Sequence, residues 1–437
     1  MTAPSTARPR TLDGSAVAVA TSVMNVATYG FTMLAARIMG PSEFGALAAC
    51  LGLLIVVQVG ALGLQATAAR RIAVDRDNVA AIEQSILKLS VRVSLVAGLV
   101  MLALAPVVTW LLALDHVLTA VILAGAVVPL TLAGGQAGVL QGERRWGALS
   151  VFYLASGIPR LVIGLALILW RPDATSAVLG VALGYVFPVL VGWWVLRERR
   201  TPEAAAPEHT ARAMLMESVN NAQVLFVFFA LSSVDIVIAR NVLDEHDAGL
   251  YAAGLIMTKV MLFLPQFVVV VAFPDMASPE RRHRALVRSL VAIGVIGALA
   301  VAAAELLSGV AMIFVGGADF GGVEGLLWVF AALGTVLAML QLQVYAVLAR
   351  QARRSVLFVW AALVALVVLG LQADSVAGLV TSVLAVDSAL LVVLTLLSLR
   401  LARTATPAEV APAPPAEPSW RSSGSQGSAP PAALCRR

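Results

Sequence analysis

Twelve long apolar stretches divide this chain of 437 residues, and very few architectures can shelter that many. They cover residues 15–36, 44–66, 90–114, 117–140, 149–170, 176–196, 214–239, 248–273, 286–314, 324–348, 355–371 and 376–399. Each is close to the ~20 residues that carry a helix across a ~30 Å hydrocarbon layer. A hydrophobic content of 60% and a mean hydropathy of +0.92 then require no water-soluble core. The expected fold is an all-α polytopic membrane protein with twelve transmembrane helices.

Charge supplies the orientation. Most of the 30 basic residues gather at the amino end, at the carboxyl end and in every second connection: Arg70, Arg71, Arg76, Lys88 and Arg92 in one, Arg281, Arg282, Arg284 and Arg288 in another. The alternate connections receive only Arg37, Arg171 and Arg240. Short basic loops resist translocation, so both termini are expected in the cytoplasm. Scarce lysine beside abundant arginine suggests a GC-rich bacterial genome and nothing firmer; the expected location is a bacterial cytoplasmic membrane. The net charge of +5 describes loop placement and contact with anionic lipid, and it argues against a nucleic-acid partner. Cys50 and Cys435 offer no disulfide framework, and the four histidines have no paired spacing, so neither metal nor other cofactor is expected. The first apolar run is too long for the core of a cleavable signal.

The connection from Arg197 to Arg212 divides the spans six and six. The reading is a cytoplasmic arm (1–14), an N-lobe (15–196), a linker (197–213), a C-lobe (214–403) and a disordered, proline-rich tail (404–437). Two six-helix lobes around a central cavity, related by an axis along the membrane normal, satisfy this arrangement. Traces of duplication support it. Ala36 and Arg37, followed by Pro41, Glu43, Gly45 and Leu47, are echoed by Ala239 and Arg240, followed by Asp244, Asp247, Gly249 and Leu250, with one residue of slippage. VLQGERRW (139–146) is likewise echoed by VLARQARRS (347–355). Convergence of short turns by composition is the alternative. GGADFGG (316–322) lacks the lysine and hydroxyl residue of a phosphate loop and reads as a flexible outer turn.

Ionisable groups in hydrocarbon cost ~2.5–3.5 kcal/mol each unless a cavity or partner receives them. At ~1.5 Å of rise per residue, Arg160, Lys259 and Asp387 all fall near the midplane. Either Asp387 neutralises one of the cations in a structural ion pair, or the cations face an aqueous cavity and receive an anionic head group. Pro159 and Pro265 break helical hydrogen bonds at that depth, which favours a wet interior. Thr21, Asn25, Thr28 and Thr32, with Tyr29 alongside, place a polar stripe on one face of the first helix, lining a cavity or bonding a neighbour. The seventh span carries Asn220, Asn221 and Asp235; Asp235 is either a protonatable gate or the partner of Arg240. Glu217 and Arg240 read as interfacial, and Gly134, Gly138 and Gly142 as a packing face.

The segment LAARIMGPSEFGALAACLGLL (34–54), with its arginine, Gly-Pro-x-x-Phe-Gly turn and small-residue helix, resembles the opening of the polysaccharide-flippase branch of the multidrug/oligosaccharidyl-lipid/polysaccharide exporter superfamily. That resemblance implies two lobes around a V-shaped cavity and no enzymatic step. It also implies alternating access that moves a polyprenyl-pyrophosphate-linked oligosaccharide from inner to outer leaflet, as in O-antigen, lipopolysaccharide or exopolysaccharide assembly. Glycosyltransferases and a polymerase would be its working partners. Such flippases place cations in the first, second, seventh and eighth helices. The matching positions are Arg37 and Lys259; the second span offers only Gln58 and Gln65, and Arg160 lies in the fifth. The substrate set expected on this basis is Lys259, Arg160, Asn25, Tyr29, Asn220, Asn221, Arg37 and Arg240, with the outer face opening near the last two. Asp235 or Asp387 would couple a cation, and the membrane potential would contribute ~2.3 kcal/mol per charge per 100 mV. A multidrug antiporter of the same superfamily is the nearest rival. A membrane glycosyltransferase or polymerase would need a larger outer loop than any seen here, and a transport-dead scaffold is the remaining alternative.

Overall fold

The computed structural model describes residues 12–197, 211–262, 282–350 and 353–404. Residues up to Thr395 form one compact unit, and the described part of the second unit, Leu396–Arg437, is the end of the last helix. The described residues are helical, without strands. The first half contains α1 (Leu12–Met39), α2 (Pro41–Val74), α3 (Val79–Ala103), the short α4 (Ala105–Leu111), α5 (Val117–Gly142), α6 (Trp146–Trp170) and α7 (Ala174–Val195). The second contains α8 (Ala211–Val242), α9 (Glu245–Met261), α10 (Arg282–Leu306), the short α11 (Ser308–Val315), a 3-10 helix (Ala318–Leu326), α12 (Leu327–Arg350), α13 (Arg353–Gly370) and α14 (Val376–Thr404). Among the described residues ten helices are long and apolar enough to cross a membrane; Val356–Gly370 is a shorter apolar helix, and α9 is the described part of the expected span 248–273. Leu95, Val96, Leu99, Val162 and Leu169 are more than half exposed, as side chains facing lipid must be.

Local chemistry sets the turns. Gly40 takes a left-handed φ of 76°, and Pro41 opens α2 where a missing N–H costs nothing. Asp173 caps α7 by accepting from the Ser176 amide at 2.7 Å, and Glu43 reaches from α2 to the Ala174 amide at 2.7 Å. Asp244 does the same for α9, accepting from the Asp247 amide at 2.8 Å. Pro106 ends the regular hydrogen bonding of α3, so the third span continues as a separate short helix.

Helix ends depart from the expected spans. α2 runs on to Val74 and α3 begins at Val79, so Arg70, Arg71 and Lys88 lie on helices joined by a tight turn rather than in a loop. Hydropathy marks the part of a helix inside lipid, whereas backbone hydrogen bonding continues past it. The 316–322 segment is also no loose turn. It enters the 3-10 helix, where Phe320 is fully buried and meets Phe44 edge-to-face, centroids 6.2 Å apart. The 198–210 connection, Pro265 and the tail from 405 lie outside the described residues.

Close packing uses the glycine ladder of α5. A Cβ on Gly134 would sit 2.4 Å from the Ala61 carbonyl, and one on Gly138 would sit 2.6 Å from that of Gln65. The α2 and α5 backbones therefore touch, which only small residues allow. The halves repeat in detail. α3 and α10 each have 25 residues and each is followed by a break and a short helix. Leu104 and Leu307, at the breaks, are as far apart in sequence as Arg37 and Arg240, and as Ser42 and Glu245. Ser42 donates to Glu245 at 2.8 Å across the middle of the molecule, so equivalent positions of the two halves meet there.

Candidate functional site

A cavity of about 530 Å³ lies between the lobes, walled by α1, α2, α5, α6 and α7 on one side and by α8, α9 and α12 on the other. The stripe on α1 faces it: Thr21, Asn25, Thr28, Tyr29 and Thr32 all contribute. Thr21 and Thr32 donate to carbonyls one turn back on their own helix, at 2.8 and 3.1 Å, whereas the Asn25 amide makes no bond among the described residues. Tyr29 spans the lobes and donates to the Lys259 carbonyl at 3.4 Å. Gln58 and Gln65 line the α2 wall, and Gln65 is tied to Gln141 and Tyr153 at 3.0 and 3.2 Å.

Three formally charged side chains line the space among the described residues: Arg160, Lys259 and Asp235. Arg160 is 9% exposed and has no carboxylate partner among the described residues. Its guanidinium carbon lies 6.0 Å from the Phe31 ring and 5.5 Å from the Tyr185 ring. Nη1 donates to the Tyr185 hydroxyl at 3.4 Å, and Nε has no partner. The α7 backbone can approach because residue 184 is glycine: a Cβ there would meet the Arg160 Cα at 2.7 Å. Lys259 likewise forms no ion pair among the described residues, though it lies within electrostatic reach of Asp235. Asp235 is 2% exposed; one oxygen accepts from the Ile236 amide at 2.8 Å and the other from the Tyr251 hydroxyl at 3.1 Å.

Several sequence expectations are corrected by this geometry. Asp235 is no partner of Arg240, whose guanidinium turns away toward the carbonyls of Leu112, Ala113 and Ser42. Arg240 is 7% exposed and does not line the cavity. Arg37 is exposed at the end of α1 and donates to the Ile313 carbonyl, also outside the cavity. Asp387 neutralises neither cation. It is fully buried in α14, its carboxylate oxygens have no partner among the described residues, and it senses the charge of Asp235 without touching the cavity. Glu217 instead pairs with Arg71 at 2.9 Å and Arg70 at 3.5 Å, joining α8 to α2. The side chains of Asn220 and Asn221 lie outside the described residues. Tyr153 and Tyr185 escaped the sequence reading. A signal existed, because the chain has only five tyrosines, and a phenol inside a span needs a polar neighbour.

Comparison with known proteins fits this architecture. No curated protein sequence matches the chain. Among solved structures, it is similar to an inward-facing multidrug resistance MATE family transporter of the MOP superfamily, with 15% identity over 89% of this chain and 100% of that one and a TM-score of 0.66. It is also similar to an outward-facing transporter of that family, with 15% identity over 90% and 96% and a TM-score of 0.57. A third likeness is a MOP superfamily transporter from Pyrococcus furiosus, described as having a binding pocket of reverse polarity, with 14% identity over 89% and 95% and a TM-score of 0.51. These identities carry the fold alone. A model of the family described as polysaccharide biosynthesis protein matches residues 13–279. That match spans more than half of the chain, which therefore belongs to the polysaccharide biosynthesis protein family.

Proposed function

We propose that this transporter is a flippase for a polyprenyl-phosphate- or pyrophosphate-linked oligosaccharide. The observation that carries the proposal is the pair of cations without ion-pair partners, Arg160 from the N-lobe and Lys259 from the C-lobe, facing one cavity that holds a single carboxylate among the described residues. Arginine offers a planar fork to phosphate oxygens and lysine a point charge. The unengaged Asn25 amide and the glutamines of α2 suit sugar hydroxyls, while the lipid tail stays in the bilayer. In this reading the arginine-rich ends face the cytoplasm of a bacterial cell, the head group enters from there, and the lobes rock to release it outside. Of the residues suggested by sequence, Lys259, Arg160, Asn25 and Tyr29 remain in the proposed substrate set.

Asp235 and the sealed Asp387 are the groups proposed to couple a cation or proton to transport. Tyr251 donates to Asp235 at 3.1 Å, and Asp387 is buried in α14 away from the cavity. Export of glycan in a complemented deletion strain tests the reading: Lys259→Ala and Arg160→Ala should each lower it by roughly tenfold or more while the protein remains in the membrane. Unchanged export in both would remove the proposal. A multidrug cation antiporter is the second reading, favoured by Asp235 in the cavity wall and by the fold likeness. It predicts efflux of cationic dyes that depends on Asp235 and is indifferent to Lys259.

A further inference from the structure

Arg37 and Arg240 occupy equivalent positions in the two halves, and they do equivalent things in opposite directions. Arg240, at the end of α8 in the C-lobe, donates to the Leu112 and Ala113 carbonyls where the N-lobe's short helix α4 ends. Arg37, at the end of α1 in the N-lobe, donates to the Ile313 carbonyl in the last turn of the C-lobe's short helix α11. These carbonyls are available because the helices end there. Gly316 and Gly317 both turn their amides to Met312, leaving Ile313 free to accept, and Ala113 takes a left-handed φ of 47° at the end of α4. A helix C-terminus also carries partial negative charge, which suits a guanidinium. Between the two arginines the lobes touch at Ser42 and Glu245, and Gly45 meets Gly249, whose own Cβ would fall 2.0 Å from the Pro41 carbonyl.

We propose that Arg37 and Arg240 are gate residues: a reciprocal pair of arginine clasps that holds the arginine-poor end of the cavity closed. This inference rests on the transporter cycle proposed above, and it explains why the duplicated Ala-Arg segment stands outside the cavity. Two features make the clasps reversible. Their acceptors are neutral carbonyls rather than carboxylates, so each contributes a modest charge-assisted bond. Guanidinium does not lose its proton in a protein, so the clasps release by movement of the lobes and not by titration.

Accessibility from the arginine-poor side tests the assignment. Ala48 lines the cavity from α2, so Ala48→Cys in a Cys50→Ala, Cys435→Ser background reports on the seal when a membrane-impermeant thiol reagent is applied to intact spheroplasts. Arg37→Ala and Arg240→Ala should each raise the labelling rate about tenfold, and the double variant about a hundredfold if the clasps act independently. Arg171→Ala is the control, because that exposed arginine pairs with Asp173 inside its own lobe at 2.6 Å. Adding Ser42→Cys and Glu245→Cys, then oxidising to cross-link the lobes, should return the Arg240→Ala rate to that of the parent. Parental labelling in the double variant overturns the proposal. So does fast labelling that persists after cross-linking, since it would report misfolding. The readout needs no substrate, so a wrong glycan assignment would leave the labelling pattern intact.

Discussion

Replacing Arg160 with leucine separates a transport role from a structural one by the sign and size of two measurements. Placing an arginine in mid-bilayer costs ~2.5–3.5 kcal/mol on insertion scales. The Phe31 and Tyr185 rings, at 6.0 and 5.5 Å, offset this by up to ~2 kcal/mol each in a desolvated setting, and the 3.4 Å bond to the Tyr185 hydroxyl adds little. The two sides nearly cancel, so Arg160→Leu should change folding stability by no more than ~1 kcal/mol, a shift of a few degrees in Tm. Transport should fall much further. A charge-assisted bond to a phosphate oxygen contributes ~1.5–3 kcal/mol, or roughly ten- to a hundredfold in kcat/KM. Arg160→Lys should fall between, keeping charge but losing the fork. The assays are thermal unfolding of the purified protein and flipping of a fluorescent polyprenyl-phosphate glycan in proteoliposomes. A drop of more than ~10 °C, with transport lost only in proportion to unfolded protein, would refute the reasoning and leave Arg160 as a structural clamp between α6 and α7.

Asp387→Asn should leave thermal stability unchanged or raise it, because no described partner is stranded; a loss above ~3 kcal/mol would reveal a hidden partner. Tyr251→Phe removes the hydroxyl that donates to Asp235 at 3.1 Å and should cost ~1–3 kcal/mol in unfolding free energy, with Asp235→Asn relieving most of that loss in the double variant. Gly138→Leu forces side-chain atoms onto the Gln65 carbonyl and should lower Tm or block membrane accumulation, whereas Gly147→Ala, with open space around it, should do neither.

The fold was legible because the bilayer imposes a length on every helix, and the positions of the arginines check the number of crossings. Depth was legible too: charges eleven residues into a span marked Arg160 and Lys259 before any coordinates did. The α1 stripe was readable because its spacing of four, three and four residues fixes one face of a helix. Direction around an axis was harder. Arg37 and Arg240 sit at the depth of a cavity mouth, yet their side chains turn along the lobe boundary to backbone carbonyls that no sequence pattern advertises. Asp387 stands at the right level but points into a sealed helix contact. Tyr153 and Tyr185 come from α6 and α7, which share no repeat period, so only folding brings them to the same wall.

The Ser42 to Glu245 contact has a consequence for assembly. A residue near a two-fold axis meets its own counterpart, so in any dimer of identical halves glutamate would face glutamate, or serine would face serine. Two serines could still bond one another, but two ionised glutamates could not, so the unlike pairing is the one that satisfies the carboxylate. A C-lobe that met another C-lobe in a crowded membrane would bring two glutamates together at the first point of touch, where like charges repel.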